Sequence, residues 1–307
     1  MADVAPILIT IFNRPELTRR LMESLSQVQP PILLIAADGP RWREEERVCL
    51  EARKCASMVD WPCEVRTTYA DDNMGCGVRV HTAITWALQQ HDRIIVLEDD
   101  CIPEPTFFSF CTTLLDFYRN DSRVMHIGGF NLQTVSPVVP ESYYFSKYTI
   151  ASGAWATWRR AWRCYDWEIK DWPALRAGGL LEWWCDDPFE RRYWEKIFDS
   201  LHGGTKDVWD FQWNLACWAH HGLAILPSVP LATNIGYGKD ATHTKEPVPS
   251  LVRPTSAICE IQHPYYILPN IAADSHTFNV NWGGEFMKLK PSAWVRAKRR
   301  LKRLLIR

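Results

Sequence analysis

Three consecutive carboxylates, Glu98-Asp99-Asp100, directly follow the apolar run Arg93–Leu97. Like charges at the end of a buried strand repel one another, and burial raises the cost of keeping them ionised. A divalent cation relieves both penalties, and hard oxygen donors suit Mg2+ or Mn2+. The plain alternative is a solvated acidic turn; the strand-end position and Pro103 just after it favour a metal or nucleotide site. A second constellation is Trp209-Asp210, inside the aromatic stretch Val208–Trp218. Flanking indoles partly desolvate a carboxylate and lift its pKa towards general-base duty. Asp210 as the cap of a helix starting there is an equal alternative.

Other residues could meet an anion. The segment Asn234–Thr244 (NIGYGKDATHT) carries Gly236 and Gly238, which permit a moving loop. Lys239, Thr242 and His243 could grip phosphate oxygens once it closes, although a lone loop histidine is usually just solvated. Arg14 follows the first apolar run, and Arg79 opens a helix behind the turn Asn73-Met74-Gly75-Cys76-Gly77. Helix amides would add to the second position, while surface arginine is the ordinary reading of both. The turn lacks a Gly-Lys-Ser/Thr ending, so ATP hydrolysis is poorly supported.

These groups need a frame. Pro6–Phe12 reads as a buried strand, and Ile32–Ala37, Cys63–Tyr69, Arg93–Leu97 and the stretch near Val124–Ile127 read as further strands. Helical patterns separate them: Pro15 to about Ser26, Arg43–Met58, Val78 to Gln90 and Pro105–Tyr118. Strands alternating with helices imply βαβ units and a mostly parallel sheet, whose ligands sit at the carboxyl ends of the strands. Asp38 and Glu98–Asp100 fall at such ends. Residues 140–235 are Trp-rich and break the rhythm, and beyond about 250 prolines punctuate the chain. No linker, repeat or low-complexity stretch marks a clean cut.

Composition narrows the class. The 307 residues, 47% apolar and 23% charged, exclude a disordered or fibrous chain. No apolar run approaches the ~18–20 residues that span a bilayer. The net charge of −1 conceals an asymmetry: Lys288 to Arg307 holds nine basic residues and no acid, leaving a body of net −10. An acidic body argues against nucleic-acid binding. In the tail, Trp294, Ala297, Leu301, Leu304 and Leu305 fall at helical spacing opposite Lys and Arg. That pattern fits an amphipathic helix on an anionic membrane surface; packing on the acidic body is the alternative. Ten cysteines show no CxxC pair, and the first residues carry no signal-peptide pattern. The expected address is therefore the cytoplasm, with the tail at the inner face of the plasma membrane.

Asn13-Arg14-Pro15, Ala37-Asp38-Gly39, the Asn73–Gly77 turn and Leu97-Glu98-Asp99-Asp100 together resemble GT-A-fold glycosyltransferases that use nucleotide sugars. Gly153-Ala154-Trp155, Trp209-Asp210 and Gly238–His243 look like the inverting N-acetylglucosaminyltransferase I group, and bacterial family-2-like glycosyltransferases look closer still. The likeness covers roughly residues 5–245. It implies an α/β, Rossmann-like central sheet flanked by helices over residues 1–270. Its nucleotide half would be 1–130 and its acceptor half 131–270, with 271–307 as a C-terminal extension bearing the basic tail.

The resemblance also implies roles. Asp38 would bind the base, with Arg14 beside the base or its phosphate, Asp99 near the ribose and Glu98 on the transferred sugar. Asp100 would coordinate Mn2+, Trp155 and Trp209 would wall the sugar pocket, and Asp210 would be the catalytic base. Thr242 and His243 would contact the diphosphate. The implied donor is a UDP-sugar and the acceptor a glycan or lipid-linked glycan. The long charged segment between Trp155 and Trp209 departs from the pattern and leaves the acceptor pocket open. Two alternatives stand. One is a nucleotidyltransferase forming sugar nucleotides, which would normally show a Gly-rich loop where this chain has Phe12-Asn13-Arg14-Pro15-Glu16. The other is a non-catalytic carbohydrate-binding protein.

Overall fold

The computed structural model describes residues 4–136, 138–151, 153–204, 207–238 and 246–289. Thr242, His243 and the tail from residue 290 onward, to which the sequence assigns diphosphate and membrane contacts, lie outside the described residues.

The chain alternates strand and helix as far as Gly128: β1 (Ile7–Ile11), α1 (Pro15–Val28), β2 (Ile32–Ala37), α2 (Glu46–Ala56), β3 (Glu64–Tyr69), α3 (Cys76–Gln90), β4 (Arg93–Glu98), β5 (Cys101–Pro103), α4 (Thr106–Phe117) and β6 (Val124–Gly128). The aromatic region supplies β7 (Tyr143–Ser146), β8 (Ala154–Trp158), the short helices α5 (Arg159–Trp162), α6 (Trp172–Ala177) and α7 (Leu180–Trp184), and the longer α8 (Pro188–His202) and α9 (Asp210–Ala219). Then follow β9 (Leu223–Pro227), β10 (Ala232–Asn234), α10 (Ile271–His276) and α11 (Gly284–Lys288).

Eight strands form one sheet in the order β3-β2-β1-β4-β8-β6-β9-β7. β3, β2, β1 and β4 pair in parallel, and β8 is antiparallel to both β4 and β6. β9 returns parallel to β6, with β7 antiparallel at its edge. The result is the expected mixed α/β, Rossmann-like layer structure, mostly parallel and flanked by helices. Parallel strands buried on both faces read as unbroken apolar runs, which is why β1, β2 and β4 are legible in the sequence. β3 (EVRTTY) is an exposed, polar edge, a composition that discourages pairing with other chains. From β1 the chain order runs to β2 on one side and β4 on the other, and the carboxyl ends of these strands open at that reversal.

The two faces are set by the two-residue period of the strands. Ile7, Ile9, Leu33, Ile35, Ile95 and Leu97 belong to the core cluster that includes residues of α1 and α4. Leu8, Leu34, Ile94 and Val96 face α3 and a tryptophan layer of Trp155, Trp162, Trp209 and Trp213. Beyond the sheet, α10 is tied to β7: Ser146 Oγ donates to Asp274 Oδ1 at 2.5 Å, and the Lys147 amide donates to Oδ2 at 3.2 Å. Among the described residues, no helix is long and apolar enough to cross a membrane.

Within the tryptophan layer, His126 on β6 is fully buried, stacked 5.0 Å from Trp155. The Trp213 indole donates to its Nδ1 at 3.2 Å, which leaves Nε2 to face the Ile150 carbonyl at 3.3 Å as the protonated nitrogen. Burial drives its pKa down to about 3. A histidine depressed in this way stabilises the fold above its unfolded pKa of about 6.5, and the stabilisation is lost as pH falls towards 3. The loss amounts to on the order of 5 kcal/mol over that window. Urea titrations of His126→Phe should therefore show a less stable protein at pH 7.5 but a flatter decline between pH 6.5 and 4. Parallel declines in variant and wild type would remove His126 from the acid limb.

Candidate functional site

A cleft of about 580 Å3 opens at the carboxyl ends of β1, β2 and β4, and its far wall is the segment Asp207–Phe211 leading into α9. Its volume lies within the ~300–1,000 Å3 typical of small-molecule sites. Arg14, Asp38, Arg79, Glu98, Asp99, Asp100, Trp209 and Asp210 all line it. Eight of the sequence-expected residues thus converge from five separate elements.

At the β2 end, Asp38 is buried and braces the turn that follows β3. Its Oδ1 accepts from the amides of Gly39 (2.9 Å) and Met74 (2.8 Å), and its Oδ2 accepts from Asn73 Nδ2 at 3.0 Å. Burial raises its pKa, and these amides and Arg79 oppose the rise. Arg79 lies beneath, 7% exposed, donating Nη2 to the Thr68 carbonyl, while its buried Nε has no hydrogen-bond partner among the described residues. Arg79 is therefore part of the cleft floor rather than an ordinary surface arginine.

At the β4 end the acidic triplet is not a solvated turn. Asp99 is 7% exposed, and its Oδ2 accepts from the Phe12 amide at 3.3 Å. Arg14 donates Nη1 to Asp100 Oδ2 at 3.0 Å and stands 4.0 Å from Asp99 Oδ1. Burial, then the neighbouring Asp100 charge, lifts the Asp99 pKa to about 7 against the pull of Arg14. Glu98 is pushed well above the usual carboxylate range by burial and by Asp100, Asp99 and Asp210. Both carboxyls therefore hold a proton more readily than free carboxylates do, and the Arg14 guanidinium opposes that only in part.

Asp100 is the expected cation ligand. Its Oδ1 accepts from Asn234 Nδ2 at 3.2 Å, and Gly236 lies so close that an added Cβ would overlap Oδ2. The expected glycine loop thus begins against Asp100, on the short β10–β5 ribbon. Among the described residues no group of three metal-ligating side chains converges. The fit to a cation rests instead on charge and donor hardness: four mutually opposed carboxylates offer oxygen only. Mg2+-type ions are often held by one or two carboxylates together with substrate phosphates, and Asp100 suits that arrangement.

Trp209 and Trp155 part company. Trp209 lines the cleft, whereas Trp155 is fully buried one layer behind it, the two rings 5.5 Å apart and stacked. Strand parity causes this: on β8, Trp155 pairs with Val96 of β4 and packs in the cluster on the α3 side of the sheet. The expectation that both indoles wall the pocket is corrected to Trp209 alone, with Trp155 as its backing. Trp155→Ala should cost about 3–5 kcal/mol of stability, as large-to-small core changes do. The milder Trp155→Phe should lower the unfolding midpoint in a urea titration, and an unchanged midpoint would remove Trp155 from the packed core.

Asp210 is the first residue of α9, with Trp209 at the capping position. It lines the cleft, and its charge is felt at Glu98. The sequence reading missed Asp207. Its carboxylate accepts from the amides of Cys76 (3.1 Å) and Gly77 (2.8 Å), the first residues of α3. The helix amides offered to an anionic ligand are thus engaged by the chain itself. The available signal was the Gly75-x-Gly77 pair, since Gly75 has φ +80° and neither glycine has room for a Cβ beside that carboxylate.

No protein-family model matches the chain, and no curated protein matches it. Among solved structures, a 4-diphosphocytidyl-2C-methyl-D-erythritol synthase from Anaerococcus prevotii is similar over 50% of this chain and 71% of its own, at 7% identity and TM-score 0.32. A cytidylyltransferase from Leptospira borgpetersenii is similar over 62% of this chain and 72% of its own, at 15% identity and TM-score 0.30. Likenesses this loose carry no argument about the reaction.

Proposed function

We propose that the protein is a metal-dependent inverting glycosyltransferase that moves a sugar from a nucleoside diphosphate sugar, a UDP-sugar by family resemblance, to a hydroxyl of a glycan or lipid-linked glycan. The observation that carries this reading is that Trp209 and Asp210, at the start of α9, line the same cleft as Glu98, Asp99 and Asp100, at the end of β4. In this reading Asp38 and Arg79 hold the base end of the donor, and Arg14 meets its phosphate. Glu98 and Asp99 hold the sugar and ribose, Trp209 stacks on the sugar, and Asp210 takes the acceptor proton as the hydroxyl attacks the anomeric carbon. General-base assistance of this kind contributes about 10²–10⁴ in rate. Asp100 would hold a Mn2+ or Mg2+ ion arriving with the donor, which would neutralise charge on the departing diphosphate. Thr242 and His243 remain candidates for the same diphosphate, and the basic tail for an anionic membrane surface.

The second reading is sugar-nucleotide formation by nucleotidyl transfer. Phe12-Asn13-Arg14 after β1, with Pro15 opening α1, is not the Gly-rich loop expected of that reading. A panel of sugar nucleotides assayed with Mn2+ for donor hydrolysis and transfer tests the proposal. Nucleoside diphosphate release supports glycosyl transfer. Pyrophosphate release from a nucleoside triphosphate and a sugar phosphate, without sugar-nucleotide turnover, supports the second reading. Metal-independent sugar binding with neither release would leave a carbohydrate-binding protein.

A further inference from the structure

We infer that Asp207 is a positioning residue, whose carboxylate latches the segment carrying Asp210 to the N-terminus of α3. The inference deepens the proposed reading and rests on it for the role of Asp210. Asp207 and the helix start lie 130 residues apart in sequence, yet Oδ1 accepts from the Gly77 amide at 2.8 Å and Oδ2 from the Cys76 amide at 3.1 Å. Two amides held by two oxygens fix the carboxylate in orientation as well as position, and the negative charge suits the positive end of a 15-residue helix.

The sequence around the latch is shaped to admit it. A Cβ on Gly75 would lie 2.7 Å from Asp207 Oδ2, and one on Gly77 would lie 2.7 Å from Oδ1 and 3.0 Å from the Val208 amide nitrogen. Both glycines therefore clear the space that the carboxylate and its backbone occupy, and Gly75 at φ +80° also supplies the backbone turn.

The latch acts on Asp210 through a short, doubly held segment. Val208 and Trp209 alone separate the two aspartates, and Trp209 is buried and stacked on Trp155. With the carboxylate at one end and the indole near the other, the first turn of α9 has little freedom to swing. α3 in turn packs on β1 and β4, whose ends carry Arg14 and the acidic triplet. Asp207 thereby ties the side of the cleft carrying Asp210 to the side carrying Asp38 and Arg79. A base must sit within hydrogen-bond reach of the proton it takes, and a displacement of about 1 Å at a reacting group can cost on the order of 10²-fold in rate.

Two measurements on the full chain test this. In the first, hydrogen exchange is followed in Asp207→Asn, which keeps the side-chain shape but turns an amide group towards one of the two backbone donors. The variant should exchange faster than wild type at Cys76, Gly77 and the peptide covering residues 207–211, with the β1 and β4 peptides unchanged. Unaltered exchange at 207–211 overturns the latch whatever the reaction proves to be. In the second, turnover and nucleoside diphosphate affinity are measured in a double-mutant cycle. Asp207→Asn alone should lower kcat at least about 10-fold with Kd within about twofold, and should lower it less than about twofold further in an Asp210→Asn background. Independent, multiplicative losses would show that Asp207 does not act through Asp210. Wild-type turnover in Asp210→Asn itself would instead discard the base assignment, leaving the exchange result to decide the latch.

Discussion

Asparagine in place of Asp210 should lower glycosyl transfer by at least about 10²-fold and leave nucleoside diphosphate binding within about twofold of wild type. The substitution keeps the size of the side chain at the start of α9 and its place on the cleft wall. What it removes is the ability to accept a proton. Binding should hold because the groups assigned to the base and phosphates, Asp38, Arg79 and Arg14, come from other elements. Any change should be slight, since the carboxylate that leaves the cleft wall is partly made up by easier ionisation of Glu98, whose proton the Asp210 charge helps to hold. Steady-state transfer and calorimetry on the same preparation separate the two effects. Unimpaired turnover would take Asp210 out of the chemistry, and a parallel collapse of binding would reassign it to donor recognition.

The second large effect is expected at Asp100. Asp100→Asn should erase the Mn2+ dependence of donor binding and lower transfer by on the order of 10²-fold or more, the scale of several kcal/mol of charge stabilisation. The sign of the metal-free arm follows from Arg14, whose Nη1 lies 3.0 Å from Asp100 Oδ2 and 4.0 Å from Asp99 Oδ1. Neutralising Asp100 loosens the closer of these pairs and makes Arg14 more available to a phosphate. Affinity without metal should therefore hold or rise while affinity with Mn2+ falls, so that their ratio approaches about one. Retention of the wild-type ratio would place the cation elsewhere.

Much of this was legible in the sequence for a physical reason. β1, β2 and β4 are buried on both faces, so each appears as a short apolar run, and whatever follows such a run lands at the open end of the sheet. Arg14, Asp38 and Glu98–Asp100 could be placed by that rule alone. The aromatic region resisted it. β8 enters the sheet between β4 and β6 some 55 residues after β4 ends, a nonlocal pairing with no local signature. Helices α5, α6 and α7 have only four to six residues each and depend on tertiary packing, such as Trp162 on Trp213 at 5.0 Å. Trp155 was misplaced because motif spacing does not reveal strand parity. Asp207 was missed because its partners are backbone amides, which leave no side-chain signature; only the two glycines beside them hint at the contact.

Titration calorimetry of UDP with and without Mn2+, on the full chain, probes most directly whether the cleft at the end of β4 is a nucleoside diphosphate site. Saturable one-to-one binding that tightens at least about 10-fold with Mn2+ and is lost in Arg79→Ala is the predicted result. Absence of heat with UDP and with the other common nucleoside diphosphates, metal present or not, in a protein whose fold is intact, would contradict it.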